Sequence, residues 1–321
     1  MNDKIAGKFR GTGLKAGLMY GMAEFYGGGA FVIINTFFLV FLTKALGMPA
    51  ALAGAIPMVG KVWDAITDPM MGNITDRTSS RFGPKRLYIL IGGILSAIAF
   101  ISLWTTIPSR STTVQFIYYI VMYCLFSTCF TIIMVPYNGL LPDMVDSYDI
   151  RSKFSSLRMI WSTVGAILAG LVPTLMIKDT LNTSMYLKVA IIFGILFGFA
   201  AVVTFIGTWE KVKPPVKTKL RDSFSEASSV FKSRSFKIFI GIYLSGQCAM
   251  DFVSGMAIYY VDDVLGGYDK GYLTMLMGVL LSSQLVGMLI FTPIMTRTSK
   301  RTTILIGAPI RLASTLGLLA F

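Results

Sequence analysis

The sequence predicts an all-α integral membrane protein, and three observations carry that prediction. Hydrophobic types make up 54% of the 321 residues and charged types only 14%, against about a quarter charged in soluble domains. The apolar residues fall in runs of membrane-spanning length, roughly 20 residues each. The 29 basic residues outnumber the 16 acidic ones, for a net charge of +13, and they flank the apolar runs. A nucleic-acid partner would call for a basic stripe on a polar domain, so none is expected.

Composition also removes several chemistries. The chain has no histidine, so His-based zinc sites and Ser-His nucleophile pairs are excluded. Cys124, Cys129 and Cys248 lie inside apolar runs, are odd in number and lack metal-ligand spacing, which reads as packing rather than a disulfide frame or a zinc site.

Eight complete spans follow in order: 17–43, 50–74, 87–108, 114–142, 157–177, 187–209, 238–265 and 271–296. The first is of full span length without a small-residue cleavage site after it, so it reads as a retained helix rather than a signal peptide. A ninth run opens near Thr302 and is cut at Phe321, giving the expectation of a fragment truncated after about nine helices. Alternate loops divide the basic residues unevenly. The loops on the amino-terminal side hold 21 Lys and Arg against 5 on the other, which predicts a cytoplasmic amino terminus.

The one long connection, 210–237, holds Pro214, Pro215 and eight basic residues. Within it Ser223 and Glu226 have capping-box spacing, and Phe224, Ala227 and Phe231 share a helical face, so a short helix at the lipid surface is expected. Three parts result: six helices in 1–209, a cytoplasmic linker in 210–237 and an incomplete second half in 238–321. Six spans, a basic linker and a second set of spans is the layout of the major facilitator fold, two six-helix halves around a midplane cavity. The loop Gly72-Asn-Ile-Thr-Asp76-Arg77, with Arg81, Gly83, Lys85 and Arg86, resembles the facilitator signature between helices two and three, and Arg297, Lys300 and Arg301 echo it after span eight.

An ionised carboxylate at a span centre costs about 2.5–3.5 kcal/mol on insertion scales, so each one needs a partner or a function. Span two carries two, Asp64 and Asp68, one turn apart on one face, with Lys61 three residues before Asp64. At 1.5 Å per residue they lie roughly 18 and 12 Å from Asp76 at the helix end. Two such carboxylates repel when both are ionised, which raises one pKa or recruits a cation. They form either a proton site or a site for a hard cation such as Na⁺. Thr67 offers a hydroxyl beside them, and Pro69 frees the carbonyl of Ala65. The competing explanation is that Lys61 and neighbouring helices only neutralise the pair. Catalysis fits poorly: acid dyads share a proton between facing elements, whereas these two lie along one helix with no nucleophile motif beside them, so no enzyme is expected.

Other embedded charges are Glu24 in span one, which lines the cavity or reaches the interface, Asp251 in span seven and Arg311 in span nine. The last two make an ion pair or serve transport. Gly27, Gly28 and Gly29 beside Tyr26 admit a ligand or, more commonly, a close helix neighbour.

Lys61-Val-Trp-Asp64-Ala-Ile-Thr-Asp68-Pro-Met-Met-Gly72 resembles the helix-two motif of the glycoside-pentoside-hexuronide:cation symporters, the melibiose permease type. Val135-Pro-Tyr-Asn-Gly-Leu-Leu-Pro-Asp143, then Asp146, Asp149, Arg151 and Ser155-Ser-Leu-Arg158, resembles its helix-four to helix-five stretch, and Ile258 to Gly266 the end of helix seven. The resemblance implies co-transport of a sugar, glycoside or hexuronide with Na⁺ or H⁺ by alternating access. It implies a cation site at Asp64, Asp68, Thr67 and Thr131, with no cofactor and no metal beyond an alkali cation. For the solute it implies Arg158, with Asn138 where the family type has an aromatic; Tyr26 and Glu24 are candidate contacts beside them. The two sugar-binding aspartates of the type fall at Gly28 and Met134, so a galactoside held by paired carboxylates is not expected. A different glycoside, a hexuronate drawn to Arg158 or a non-sugar solute such as a lipid stays open. Asp76, Arg77, Arg81, Asp143 and Arg151 are candidates for an inner gate latched by ion pairs. A monomer in a bacterial inner membrane, with the bilayer and a small solute as its partners, completes the expectation.

Overall fold

The first helix, α1, is assembled from Leu14–Gly21, Ala23–Ile33 and two π-helical turns, Ile34–Phe38 and Phe41–Ala45. In a computed structural model of the chain, residues 13–109, 111–210 and 233–264 are described, with scattered positions from 272 to 310. Six more helices follow: α2 (Ala50–Arg77), α3 (Pro84–Leu103), α4 (Thr112–Met144), α5 (Tyr148–Met176), α6 (Thr183–Gly207) and α7 (Arg234–Tyr259), which ends in a π-turn at Tyr260–Val264. No strand occurs among the described residues. By length and composition α1, α3, α4, α5 and α6 are apolar enough to cross a membrane. The α2 helix has 28 residues but carries Lys61, Asp64 and Asp68 in its middle.

The helices outrun the apolar windows at the ends rich in basic residues. α5 begins at Tyr148, nine residues before the expected boundary, because backbone bonding continues through polar sequence once Ser147 turns the chain and Asp149 favours the first turn. α3 instead stops at Leu103, short of the expected 108, and Pro108 disfavours helix at the residue before it. The expected linker helix, the eighth and ninth spans as continuous helices, the echo at Arg297, Lys300 and Arg301, and Arg311 lie outside the described residues.

Residues 1–274 form one compact unit and 275–321 a second, in which every described position is helical. In the first unit α1 packs on α5 and α6, α3 on α4 and α6, α2 on α4, and α7 against the π-turns of α1. Small residues set the closest approach: a Cβ on Gly28 would stand 2.5 Å from the carbonyl oxygen of Ser162, and one on Gly165 would strike the backbone of Phe25. The glycines beside Tyr26 therefore serve helix packing. Aromatic rings fill the rest, with Trp104 stacked on Tyr186 at 5.9 Å and Phe100 edge-on to Phe197 at 5.3 Å. Of the cysteines, Cys129 is buried and Cys124 half-buried, whereas Cys248 is exposed, so packing accounts for only the first two.

The start of α3 shows how the sequence satisfies a helix end. Gly83 takes φ +94° and Pro84 sits at the first helical position. The free backbone N–H groups of Lys85 and Arg86 donate to Oε2 of Glu210, at 3.0 and 3.5 Å. Burial raises the Glu210 carboxyl above the usual glutamate range, and those N–H groups only partly offset it.

Candidate functional site

The contact of α2 with α4 follows one register. Position 60 lies against 123, 64 against 127, 68 against 131 and 72 against 135, so the two helices run parallel with their four-residue ridges in contact. Gly60 makes this possible, because any Cβ there would enter the ring of Tyr123. One turn along, the Ser127 hydroxyl donates to Oδ1 of Asp64. A further turn on, the Thr131 hydroxyl donates to Oδ1 of Asp68 at 2.7 Å. The Trp63 indole adds a third tie to Thr128 at 2.8 Å. Ser127 and Thr131 are buried, Asp64 is half-buried and Asp68 is exposed.

Each carboxylate keeps its Oδ2 without a hydrogen-bond partner among the described residues. Thr67 turns along its own helix and donates to the carbonyl of Trp63 at 3.2 Å. Pro69 leaves the Ala65 carbonyl without its helical donor. The arrangement is a set of oxygens on two helices, the donor type suited to a hard cation or a shared proton. Lys61 does not neutralise the pair through an ion pair; its ammonium lies over the Phe31 ring at 4.7 Å.

A second cluster joins three helices. Arg158 of α5 forms an ion pair with Glu24 of α1, donating from Nε and Nη2 to Oε1, and Nη2 also meets Oδ1 of Asn138 on α4. Its guanidinium lies 4.8 Å from the centre of the Tyr137 ring, and the Tyr137 hydroxyl donates to the Tyr20 carbonyl at 3.1 Å. Glu24 therefore neither reaches the interface nor stands alone. Tyr26, expected with these contacts, is not among them. Two residues from Glu24 on a helix it points the other way, fully buried against Phe130 and Phe197 with its hydroxyl bonded to Ser96.

The expected inner-gate residues lie at the ends of α2, α4 and α5 and in the loop after α2. Asp143 forms an ion pair with Lys85, which also donates to the Gly139 carbonyl at 2.8 Å. Arg151 closes the α4–α5 turn by donating to the carbonyls of Val145 at 2.6 Å and Pro142 at 3.4 Å. Arg81 stacks on Phe82, while Asp76 and Arg77 are exposed.

At the opposite ends of α1 and α7, Lys44 and Asp263 form an ion pair at 2.9 Å, Thr43 bonds Tyr259, and Asn35 donates to Asp251 at 3.1 Å. Gln247 gives Asp251 a further donor at 3.0 Å. All three α1 residues lie in the π-helical turns, whose wider path swings side chains out of the regular helical rows. A cavity of about 320 Å³ lies here, with Lys61 and Asp251 as its charged walls.

Sequence reasoning missed Ser127, the Glu24–Arg158 pair, the Lys85–Asp143 pair and the α1–α7 ties. Only Ser127 had a local signal, its place four residues before Thr131.

A helical bundle of membrane-spanning lengths, with a carboxylate pair held between two of its helices, is a multi-pass membrane protein of the major facilitator fold. The sequence model of the family described as MFS/sugar transport protein matches residues 19–321. The chain belongs to that family, the glycoside-pentoside-hexuronide:cation symporters. It is 31% identical to Uncharacterized symporter YnaJ of Bacillus subtilis over 240 residues, 72% of this chain and 51% of that protein. It is 25% identical to Isoprimeverose transporter of Lactiplantibacillus pentosus over 214 residues, 63% of this chain and 44% of that protein. Sodium-dependent lysophosphatidylcholine symporter 1 of Xenopus tropicalis is 29% identical over 136 residues, 42% of this chain and 26% of its own length. The chain spans about half the length of the curated relatives it matches.

Proposed function

We propose that the protein is a secondary active transporter that couples Na⁺ or H⁺ to the uptake of a sugar, glycoside or hexuronide by alternating access. The observation that carries this is the doubled contact of Asp64 with Ser127 and Asp68 with Thr131, one helical turn apart, which leaves Oδ2 of each carboxylate without a hydrogen bond. A cation or proton bound there bridges α2 to α4, and α4 also carries Asn138 beside Arg158. Occupancy of the ion site thus bears on the helix that shapes the solute site, and linkage makes each ligand strengthen the other. The family description and the name of the isoprimeverose relative support a sugar as cargo.

The remaining assignments rest on the same proposal. Asp64, Asp68, Thr67 and Thr131, now with Ser127, hold the ion; Arg158, Asn138 and Glu24 face the solute. The amino terminus lies in the cytoplasm of a bacterial cell, residues 1–209 form one six-helix half, and 238–321 belong to the other. Asp143, through Lys85, belongs to the inner end, and Lys44 with Asp263 to the outer one.

The test is thermal stability of the purified protein in Na⁺, Li⁺ or K⁺ across pH. A ligand that binds only the native state stabilises it by RT ln(1 + [L]/Kd). Coupling through this site requires an ion- or pH-dependent shift that Asp68→Asn removes; a shift that survives the substitution sinks the assignment. A second reading, carriage of a lipid or other non-sugar solute, is favoured by the name of the lysophosphatidylcholine relative. Solute-dependent shifts with lysophospholipids and none with sugars would select it.

A further inference from the structure

We infer that the Glu24–Arg158 pair makes the solute site selective for neutral, hydroxyl-rich molecules and against their carboxylate counterparts. The inference rests on the sugar reading above and narrows it, since the position of Arg158 in sequence alone favours a hexuronate as readily as a neutral glycoside.

The argument is an inventory of donors and acceptors. A guanidinium has five N–H groups in a planar fork and no acceptor. Nε and Nη2 of Arg158 are spent on Oε1 of Glu24, and Nη2 also on Oδ1 of Asn138. Among the described residues, three groups of the cluster carry no hydrogen bond: Nη1 of Arg158, Oε2 of Glu24 and Nδ2 of Asn138. Asn138 is exposed and Arg158 half-buried, and neither Nη1 of Arg158 nor Oε2 of Glu24 is among the sealed, unsatisfied atoms. The cluster therefore offers two donor groups and one anionic acceptor around a charge that is already balanced.

A sugar hydroxyl donates one hydrogen bond and accepts others. Neighbouring hydroxyls match this set, one donating to Oε2 while another accepts from Nη1 or Nδ2. A carboxylate in the same place accepts but cannot donate, and it brings a second negative charge beside Oε2. Glu24 is 9% exposed, and at that burial like charges are weakly screened. The ion pair is also held in place from behind: Arg158 rests on the Tyr137 ring, and that hydroxyl is tied to α1. An incoming anion could draw the Arg158 charge to itself only by displacing Glu24 and leaving it without its partner, which is the costly way to break a part-buried pair.

The test compares solutes that differ only at C6: methyl glucoside with methyl glucuronide, and methyl galactoside with methyl galacturonide. Binding to the purified wild-type protein in saturating Na⁺ is read by thermal shift and titration. The neutral member of at least one pair should bind about tenfold or more tightly than its uronide, and Glu24→Gln should shrink or invert that ratio by releasing the Arg158 charge. Uronides bound as tightly as neutral glycosides by the wild type would overturn the inference while leaving the sugar reading intact, and this comparison needs no variant to fold. A neutral preference unchanged in folded Glu24→Gln would equally remove the role given to Glu24. Binding of neither class would overturn the sugar reading itself, and the inference with it.

Discussion

Asp68 on α2 and Thr131 on α4 are joined side chain to side chain at 2.7 Å, at the same register that brings Asp64 to Ser127 one turn earlier. Two parallel helices that share a four-residue row present their polar groups as matched rungs. The hydroxyls orient the carboxylates by occupying one oxygen of each.

Under the proposed coupling, the two hydroxyls should serve ion binding unequally. Ser127→Ala and Thr131→Ala each remove a hydrogen bond to a charged group, worth about 1.5–3 kcal/mol. Each should weaken ion affinity by roughly tenfold or more, with Ser127→Ala the more severe because Asp64 is the less exposed of the two carboxylates. Ion titrations monitored by thermal shift compare the two directly.

Helix contact at Gly60 gives a steric prediction. Gly to Ala in a helix interior ordinarily stabilises by roughly 0.5–1 kcal/mol, and Gly54→Ala should do so, since nothing lies within 4 Å of its Cβ. Gly60→Ala must instead displace the Tyr123 ring, and overpacking of that kind costs about 1–3 kcal/mol. Opposite shifts in Tm are expected for two substitutions six residues apart on one helix.

The Lys44–Asp263 pair is 19% and 60% exposed in its side chains. A pair so open to solvent is worth less than about 1 kcal/mol to stability. Lys44→Ala and Asp263→Ala should accordingly leave Tm nearly unchanged, and a double-mutant cycle should show a coupling that fades in high salt. A large, salt-independent coupling would contradict this.

Glu210 predicts a pH dependence. Burial holds its carboxyl above the ordinary glutamate range, so the folded state keeps the proton to higher pH than the unfolded state does. Stability contributed by this group is therefore full at low pH and falls as pH rises from the ordinary glutamate range through the raised value. Glu210→Gln should flatten that part of the Tm-against-pH profile; a profile that keeps its slope would reassign the effect.

The register itself was legible only in part. Asp64 and Asp68 at i and i+4 announce a shared face, and Thr131 came with the family resemblance. Yet the fourfold match of 60, 64, 68 and 72 to 123, 127, 131 and 135 is a relation between helices, and span boundaries do not state it. Tyr26 shows the converse error. Its nearness to Glu24 in sequence suggested a common site, but two helical positions amount to roughly 200°, which sends the ring into the α3–α6 packing.

What the sequence by itself determined is the membrane class, the order of the first seven helices and the place of two carboxylates in the middle of one of them. Lipid imposes those features through composition and run length, which are local and additive along the chain. The tertiary structure alone decided that Glu24 balances Arg158, that Lys61 rests on Phe31 while Asp64 turns to Ser127, and that the α1 π-turns reach α7. Each of these joins residues from 30 to more than 200 positions apart. Their choice of partner depends on helix rotation and spacing, set by glycines such as Gly28, Gly60 and Gly165, and no periodicity within a single span encodes it.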